Sequence, residues 1–119
     1  MPTQIGCNSA NASLQVPANG QVLFDSVTVV GTANVPNFAF YKFELSGPST
    51  GNVFTPVGGD RTSPVLQTGT LGQLALSQFQ PGTYFFRLAV FDNTTMLRAS
   101  CTVTVILRER PPTPTKVGS

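Results

Sequence analysis

The sequence predicts an all-β domain, a seven-stranded Greek-key β-sandwich. Three observations carry that prediction. Eleven glycines and ten prolines recur along the chain and interrupt every stretch long enough for a helix. Between them lie runs rich in β-branched and aromatic residues, at the spacing of short sandwich strands. Within the runs apolar residues alternate with period two, and no 3.6-residue periodicity competes.

The strands follow in order. The first spans Ala12 to Val16 and stops at the turn signal PANG, with Pro17 and Gly20. The second spans Phe24 to Ala33, where Val27 and Val29 alternate with Ser26 and Thr28. The third spans Phe38 to Leu45, with Ala39, Tyr41, Phe43 and Leu45 on one face and Phe38, Phe40, Lys42 and Glu44 on the other. The fourth, Val53 to Val57, is a short edge strand because Pro56 lacks a ladder donor. The fifth lies within Val65 to Leu76. The sixth spans Thr83 to Phe91 and holds the stretch YFFRLAVF. Tyr84, Phe86, Leu88 and Val90 form its core face, which leaves Phe85, Arg87, Ala89 and Phe91 opposite. The seventh spans Met96 to Leu107, and its inward set reads Leu97, Ala99, Cys101, Val103, Val105 and Leu107.

The chain of 119 residues suits one domain with a real core. Residues 1–11 form an N-terminal segment containing Cys7, residues 12–107 the sandwich, and residues 108–119 a Pro/Thr-rich linker or tail. Hydrophobic residues make up 40% and charged residues only 10%, so the surface rests on Ser, Thr, Asn and Gln. A formal net charge of +2, with scattered basic residues, argues against a nucleic-acid partner. No apolar run reaches membrane-spanning length, so membrane insertion is not expected. The first residues, MPTQIGCNSA, show no signal-peptide pattern.

The two cysteines are Cys7 and Cys101. Cys101 shares the phase of Val103 and Val105, so its sulfur points inward, and Cys7 precedes the first strand. If the first and last strands run side by side, the two can pair. The bridge would close a loop of about 95 residues, worth ~4 kcal/mol in the chain-entropy model. Two buried free thiols are the alternative.

Catalytic chemistry finds little purchase. Without histidine, no Ser-His-Asp or Cys-His arrangement exists, and with two cysteines a zinc site lacks ligands. Neither a cofactor nor a metal is expected. Glu44 reads as a solvated strand residue paired with Lys42 or Arg87, and Asp60 in VGGDRTS as a residue of a flexible loop. Asp92, Asn93 and Asn37 fall well short of calcium's six to eight oxygens. The sequons Asn11-Ala12-Ser13 and Asn93-Thr94-Thr95 matter only in a glycosylating host.

Two stretches carry a resemblance. FQPGTYFFRLAVFD, Phe79 to Asp92, resembles the E–F connection of fibronectin type III and PKD-like domains, where a Pro-Gly turn leads into a strand opened by Tyr. The matching residues are Pro81, Gly82, Thr83 and Tyr84, then Leu88, Val90 and Asp92. VTVVGTANVPNFAFYKFELSG is similar to bacterial Ig-like modules in Gly31, Thr32, Ala33, Phe38, Tyr41, Lys42 and Glu44. The resemblance implies an Ig-like or fibronectin III-like sandwich, extracellular or on a cell surface, with a structural or adhesive role and no shared catalytic residues. The chain departs from fibronectin type III in having no tryptophan.

Two surfaces become candidates for binding. The second–third and sixth–seventh loops meet at one end of a sandwich, bringing together Asn34, Asn37, Asp92 and Asn93 for sugar hydroxyls or a protein. The outer face of the third and sixth strands would cluster Phe40, Phe85 and Phe91, with Arg87 among them, as a protein-binding patch. Thr102, Thr104 and Arg98 would complete that surface, with Met96 at its edge. The expected partner is a neighbouring module or a second copy. A self-assembling shell component, such as a virion decoration protein or filament subunit, is the first alternative, and a carbohydrate-binding module the second.

Overall fold

Alternation of period two closes into eight strands, connected mostly by short turns, in a computed structural model that describes residues 11–109. They are β1 (Ala12–Val16), β2 (Gln21–Leu23), β3 (Ser26–Ala33), β4 (Phe38–Ser46), β5 (Thr55–Arg61), β6 (Val65–Ala75), β7 (Gly82–Asp92) and β8 (Leu97–Leu107). A 3-10 turn, Pro48–Thr50, follows β4. The strands form a three-stranded sheet in the order β1-β3-β6 and a five-stranded sheet in the order β2-β8-β7-β4-β5. The architecture is all-β, with two sheets in a sandwich-like arrangement.

The alternation predicts seven strands, and the described residues hold eight. The additional one, β2, has three residues, too few to show alternation in the sequence. It exists because the last strand offers a partner: β2 pairs in parallel with β8, from Gln21 opposite Val105 to Leu23 opposite Leu107. The chain therefore changes sheets between β1 and β2, across the cis Val16–Pro17 peptide bond. Asn19 and Gly20 pin the crossing to β8. Asn19 Oδ1 accepts from the Thr104 amide at 2.9 Å, and the Gly20 amide donates to the Thr104 carbonyl at 2.6 Å. The expectation that the first strand, Ala12 to Val16, pairs beside the last is corrected: β1 pairs with β3 in the other sheet, and the unforeseen β2 takes the place beside β8.

The core lies between the sheets. Tyr84, Phe86, Leu88 and Val90 of β7 are buried, as the alternation predicts, and so are Val27 and Val29 of β3 and Tyr41, Phe43 and Leu45 of β4. Phe43 and Phe86 stack with ring centroids 5.7 Å apart. Side chains of this size contribute about 1.5–3 kcal/mol each on burial. Tyr84, near the start of β7, ties a corner of the sandwich. Its hydroxyl donates to the Gln80 carbonyl at 2.7 Å and accepts from the Ser49 amide at 3.2 Å. Its ring lies against Gly47, where a Cβ would stand 2.4 Å from a ring carbon. Only a residue without a side chain lets the chain pass there.

Two local expectations are corrected. Gly58-Gly59-Asp60 is not a free loop but part of β5, which runs to Arg61 rather than stopping at Val57. Tyr41 faces Arg61 while Phe43 faces Val57, so the three residues between form a bulge, with Gly58 at a left-handed φ of 75°. Leu97 does not join the inner set of β8. Val90 faces Ala99 but Phe91 faces Leu97, so the ladder skips Arg98 and Leu97 turns to the outer face. Cys101 is buried on the inner face as expected. Cys7, its expected partner, lies outside the described residues.

Candidate functional site

The residues singled out from sequence fall in two places: the outer face of the five-stranded sheet and the loop end of the sandwich. On the outer face β4 and β7 run antiparallel, with Phe40 opposite Phe91, Glu44 opposite Arg87 and Ser46 opposite Phe85. This register divides the predicted cluster. Phe40 and Phe91 stack, centroids 4.7 Å apart and planes 12° from parallel. Phe85 lies six residues away along β7, about 20 Å at strand rise, and is 51% exposed. The three phenylalanines therefore do not make one patch.

Between them sits a charged group. Glu44 is only 7% exposed, so the expected solvated position is corrected, but the expected pairing holds. Arg87 Nε donates to Glu44 Oε1 at 2.7 Å, and Lys42 Nζ stands 3.6 Å from Oε2. Two cations compensate the cost of burying one carboxylate. Arg87 also lays its guanidinium 3.9 Å over the Phe54 ring, and Lys42 Nζ lies 5.3 Å above Phe91. Arg87 is thereby committed within the domain and presents less to a partner than its sequence position suggested.

The bulge at Arg98 adds a contact that strand alternation does not foretell. Leu97, 48% exposed, stands beside Phe91 on the outer face, and exposed Met96 precedes it. Phe40, Phe91 and Leu97 thus lie together at one end of the sheet, the two rings part-buried and Leu97 exposed. The sequence held a signal for it. Asp92 and Arg98 bracket the turn, and the residue that the ladder skips, Arg98, is the one that reaches Asp92.

At the loop end Asn37, Asp92 and Asn93 come together, while Asn34 is tied to Asn11 beside them. The Asn93 amide donates to the Asn37 carbonyl at 2.8 Å, and the Asn34 amide donates to the Asn11 carbonyl at 3.0 Å. Asn11 Nδ2 returns a bond to the Asn34 carbonyl at 2.8 Å. A cleft of about 340 Å³ opens between Asn11, Val35, Pro36, Asn37, Asp92 and Arg98. The acid that lines it is already occupied. Asp92 is 4% exposed. Its Oδ1 accepts from the Thr94 amide at 2.8 Å, the Thr94 hydroxyl at 2.6 Å and the Met96 amide at 3.2 Å. Its Oδ2 accepts from Arg98 Nε at 2.5 Å. These donors, Thr94 foremost and then Arg98, hold the Asp92 carboxyl well below the usual carboxylate range. Asp92 shapes the β7–β8 turn and has little lone-pair capacity left for a ligand. Asn37, in the left-handed region at φ 59°, is placed by backbone geometry.

Elsewhere, a hollow of about 490 Å³ at the opposite end is lined by Phe24, Asp25, Phe79, Leu107, Arg108 and Glu109 among others. Arg61 crosses the rim between the two sheets, where a Cβ on Gly72 would lie 2.8 Å from its guanidinium carbon. Tyr41 beside it donates to the Leu71 carbonyl at 2.6 Å. Burial pushes the Tyr41 phenol up, and Arg61 partly offsets that. Among the described residues no three His, Cys, Asp or Glu side chains gather as a metal site would require. No helix among the described residues is long and apolar enough to cross a membrane.

No protein-family model matches the chain, and no curated protein matches it.

Proposed function

We propose that the chain is a non-enzymatic Ig-like or fibronectin III-like module, structural or adhesive, of an extracellular or cell-surface assembly. It acts by packing against another protein through the outer face of its five-stranded sheet. The part-buried Phe40–Phe91 stack, with exposed Leu97 beside Phe91, carries this reading. A residue turned outward by a bulge, next to a stacked aromatic pair, is surface that burial in a partner would stabilise. Phe85 forms a separate contact point. The Greek-key assignment is supported by the division into three and five strands, by the chain's passage from one sheet to the other after β1, and by the Tyr84 hydroxyl reaching back to Gln80. A disulfide between Cys7 and Cys101 belongs to the same proposal and would fasten the N-terminal segment to β8.

The test is retention of the purified chain on cell-envelope material from its source. Saturable binding is expected. A Phe91→Ser/Leu97→Ser variant should lose it while keeping a cooperative unfolding transition. Absence of binding, or binding that the variant retains, would refute the packing face.

A further inference from the structure

The hollow at the far end of the sandwich takes no part in the packing face. Its volume is about 490 Å³, within the range of pockets that hold ligands. Phe24, Phe79 and Pro81 give it apolar walls, and buried Leu76 and Leu107 line it from the core side. Phe79 is held in place. Its amide donates to the Leu76 carbonyl at 3.0 Å, and its ring meets Tyr84 edge-on with centroids 6.1 Å apart. Phe24, by contrast, is 40% exposed, in the short link between β2 and β3. Gln78 and Gln80, both exposed, bring side-chain amides to the same hollow. Strand β8 delivers the chain into it. The Arg108 amide donates to the Leu23 carbonyl at 2.9 Å, and Arg108 and Glu109, the last described residues, both line the hollow.

We propose that this hollow is the docking site of the chain's own Pro-rich segment, Arg110 to Thr115, which lies outside the described residues. Reach is the first reason for this occupant. Successive Cα atoms stand about 3.8 Å apart, so the Cα of Pro111 is within about 7.6 Å of that of Glu109, which itself lines the hollow. A tether that short gives a local concentration in the millimolar range or above, which any free competitor must exceed. Chemistry is the second reason. The segment reads RPPTPT. Proline rings pack on aromatic side chains, and a Pro-rich stretch is already extended, so docking it costs little entropy. Proline has no amide proton to strand, while the carbonyls of an extended Pro-rich stretch make no internal bonds and take outside donors. Phe24 and Phe79 supply the aromatic walls, and the Gln78 and Gln80 side chains carry N–H donors. Chain direction is the third reason. The N-terminal segment also lies outside the described residues, but it joins the sandwich at Asn11, which lines the cleft at the opposite end. Docking covers Phe24 and fixes the direction in which the chain leaves β8.

The test uses the full 119-residue chain. Nuclear Overhauser cross-peaks are expected between the ring protons of Phe24 and those of Pro111 or Pro112, within one molecule. Mixing isotope-labelled with unlabelled chains separates them from contacts between molecules. Phe24→Ser should lower Tm by roughly 3–6 °C in the wild-type background, and by less than half as much in a Pro111→Ser/Pro112→Ser/Pro114→Ser background. In that triple variant a synthetic peptide of residues 110–116, added at about 1 mM, should shift the Phe24 signals, and in the wild type it should shift them far less. Equal Tm losses in the two backgrounds overturn the proposal, as does the absence of any cross-peak from Phe24 to a proline of the segment. Cross-peaks found only between labelled and unlabelled chains overturn it too, because they would put the segment of a second copy in the hollow.

Discussion

Replacing Tyr84 with phenylalanine isolates one oxygen atom. The ring is fully buried against Gly47 and remains in place, so the transfer and packing contributions stay constant. What disappears is the hydroxyl that donates to Gln80 and accepts from Ser49. The first bond is short, at 2.7 Å, and a typical net value is ~1 kcal/mol. The second, at 3.2 Å, is longer and worth roughly half as much. Ser49 and Gln80 are exposed residues, so water replaces part of what their backbone groups lose. The expected loss is therefore about 1–2 kcal/mol, which lowers Tm by roughly 4–10 °C in a domain of this size. Urea unfolding followed by circular dichroism gives the loss from the midpoint at constant slope. A loss below about 0.3 kcal/mol would mean that the hydroxyl does not tie the corner. A loss above about 4 kcal/mol with a changed slope would mean that the ring itself had moved, and the constant-packing premise would fail. Tyr41→Phe is the natural comparison. Its hydroxyl donates at 2.6 Å to the carbonyl of Leu71, a buried residue, so water is less able to compensate and the loss should equal or exceed that at Tyr84.

Two further outcomes follow from the site geometry. Asp92 has a folded-state pKa held below its unfolded value of about 3.9, so the stability it contributes is complete above that pH and drains away as the pH falls below it. Unfolding midpoints measured between about pH 2 and pH 7 should show a shallower acid decline for Asp92→Asn than for wild type, together with lower stability at neutral pH; superimposable slopes would mean that Asp92 plays no part in the acid decline. Thiol titration of unfolded, unreduced protein should find no reactive sulfhydryl if Cys7 and Cys101 pair as proposed, and two per chain would exclude the bridge.

Alternation of apolar residues is a local property, and whatever depends on it is legible in the chain itself. Neighbouring residues suffice to decide that Tyr84, Phe86, Leu88 and Val90 face one way, and burial does the rest. The strands β3, β4, β7 and β8 are readable for that reason, and so is the meeting of the loops that hold Asn37, Asp92 and Asn93 at one end. Pro56 announces an edge. The pairing of Glu44 with Lys42 or Arg87 is visible in the charges of neighbouring strands, although the burial of Glu44 is not.

Register and partnership are not local. Three-residue β2 carries no pattern of its own and exists because β8 runs beside it. Leu97 faces outward because the ladder skips Arg98, the residue that meets Asp92 across the turn. Phe85 and Phe91 share a strand face, yet the rise of the strand separates them by about 20 Å and Arg87 with Glu44 fills the space between. The exposure of β6 depends on which strand takes the edge of its sheet, and its own eleven residues do not state that. The sequence alone determined which apolar side chains of β4 and β7 fill the core, since their burial follows each strand's own alternation. The tertiary structure alone decided which of the remaining side chains stand together, because that depends on hydrogen-bond register between segments distant in the chain.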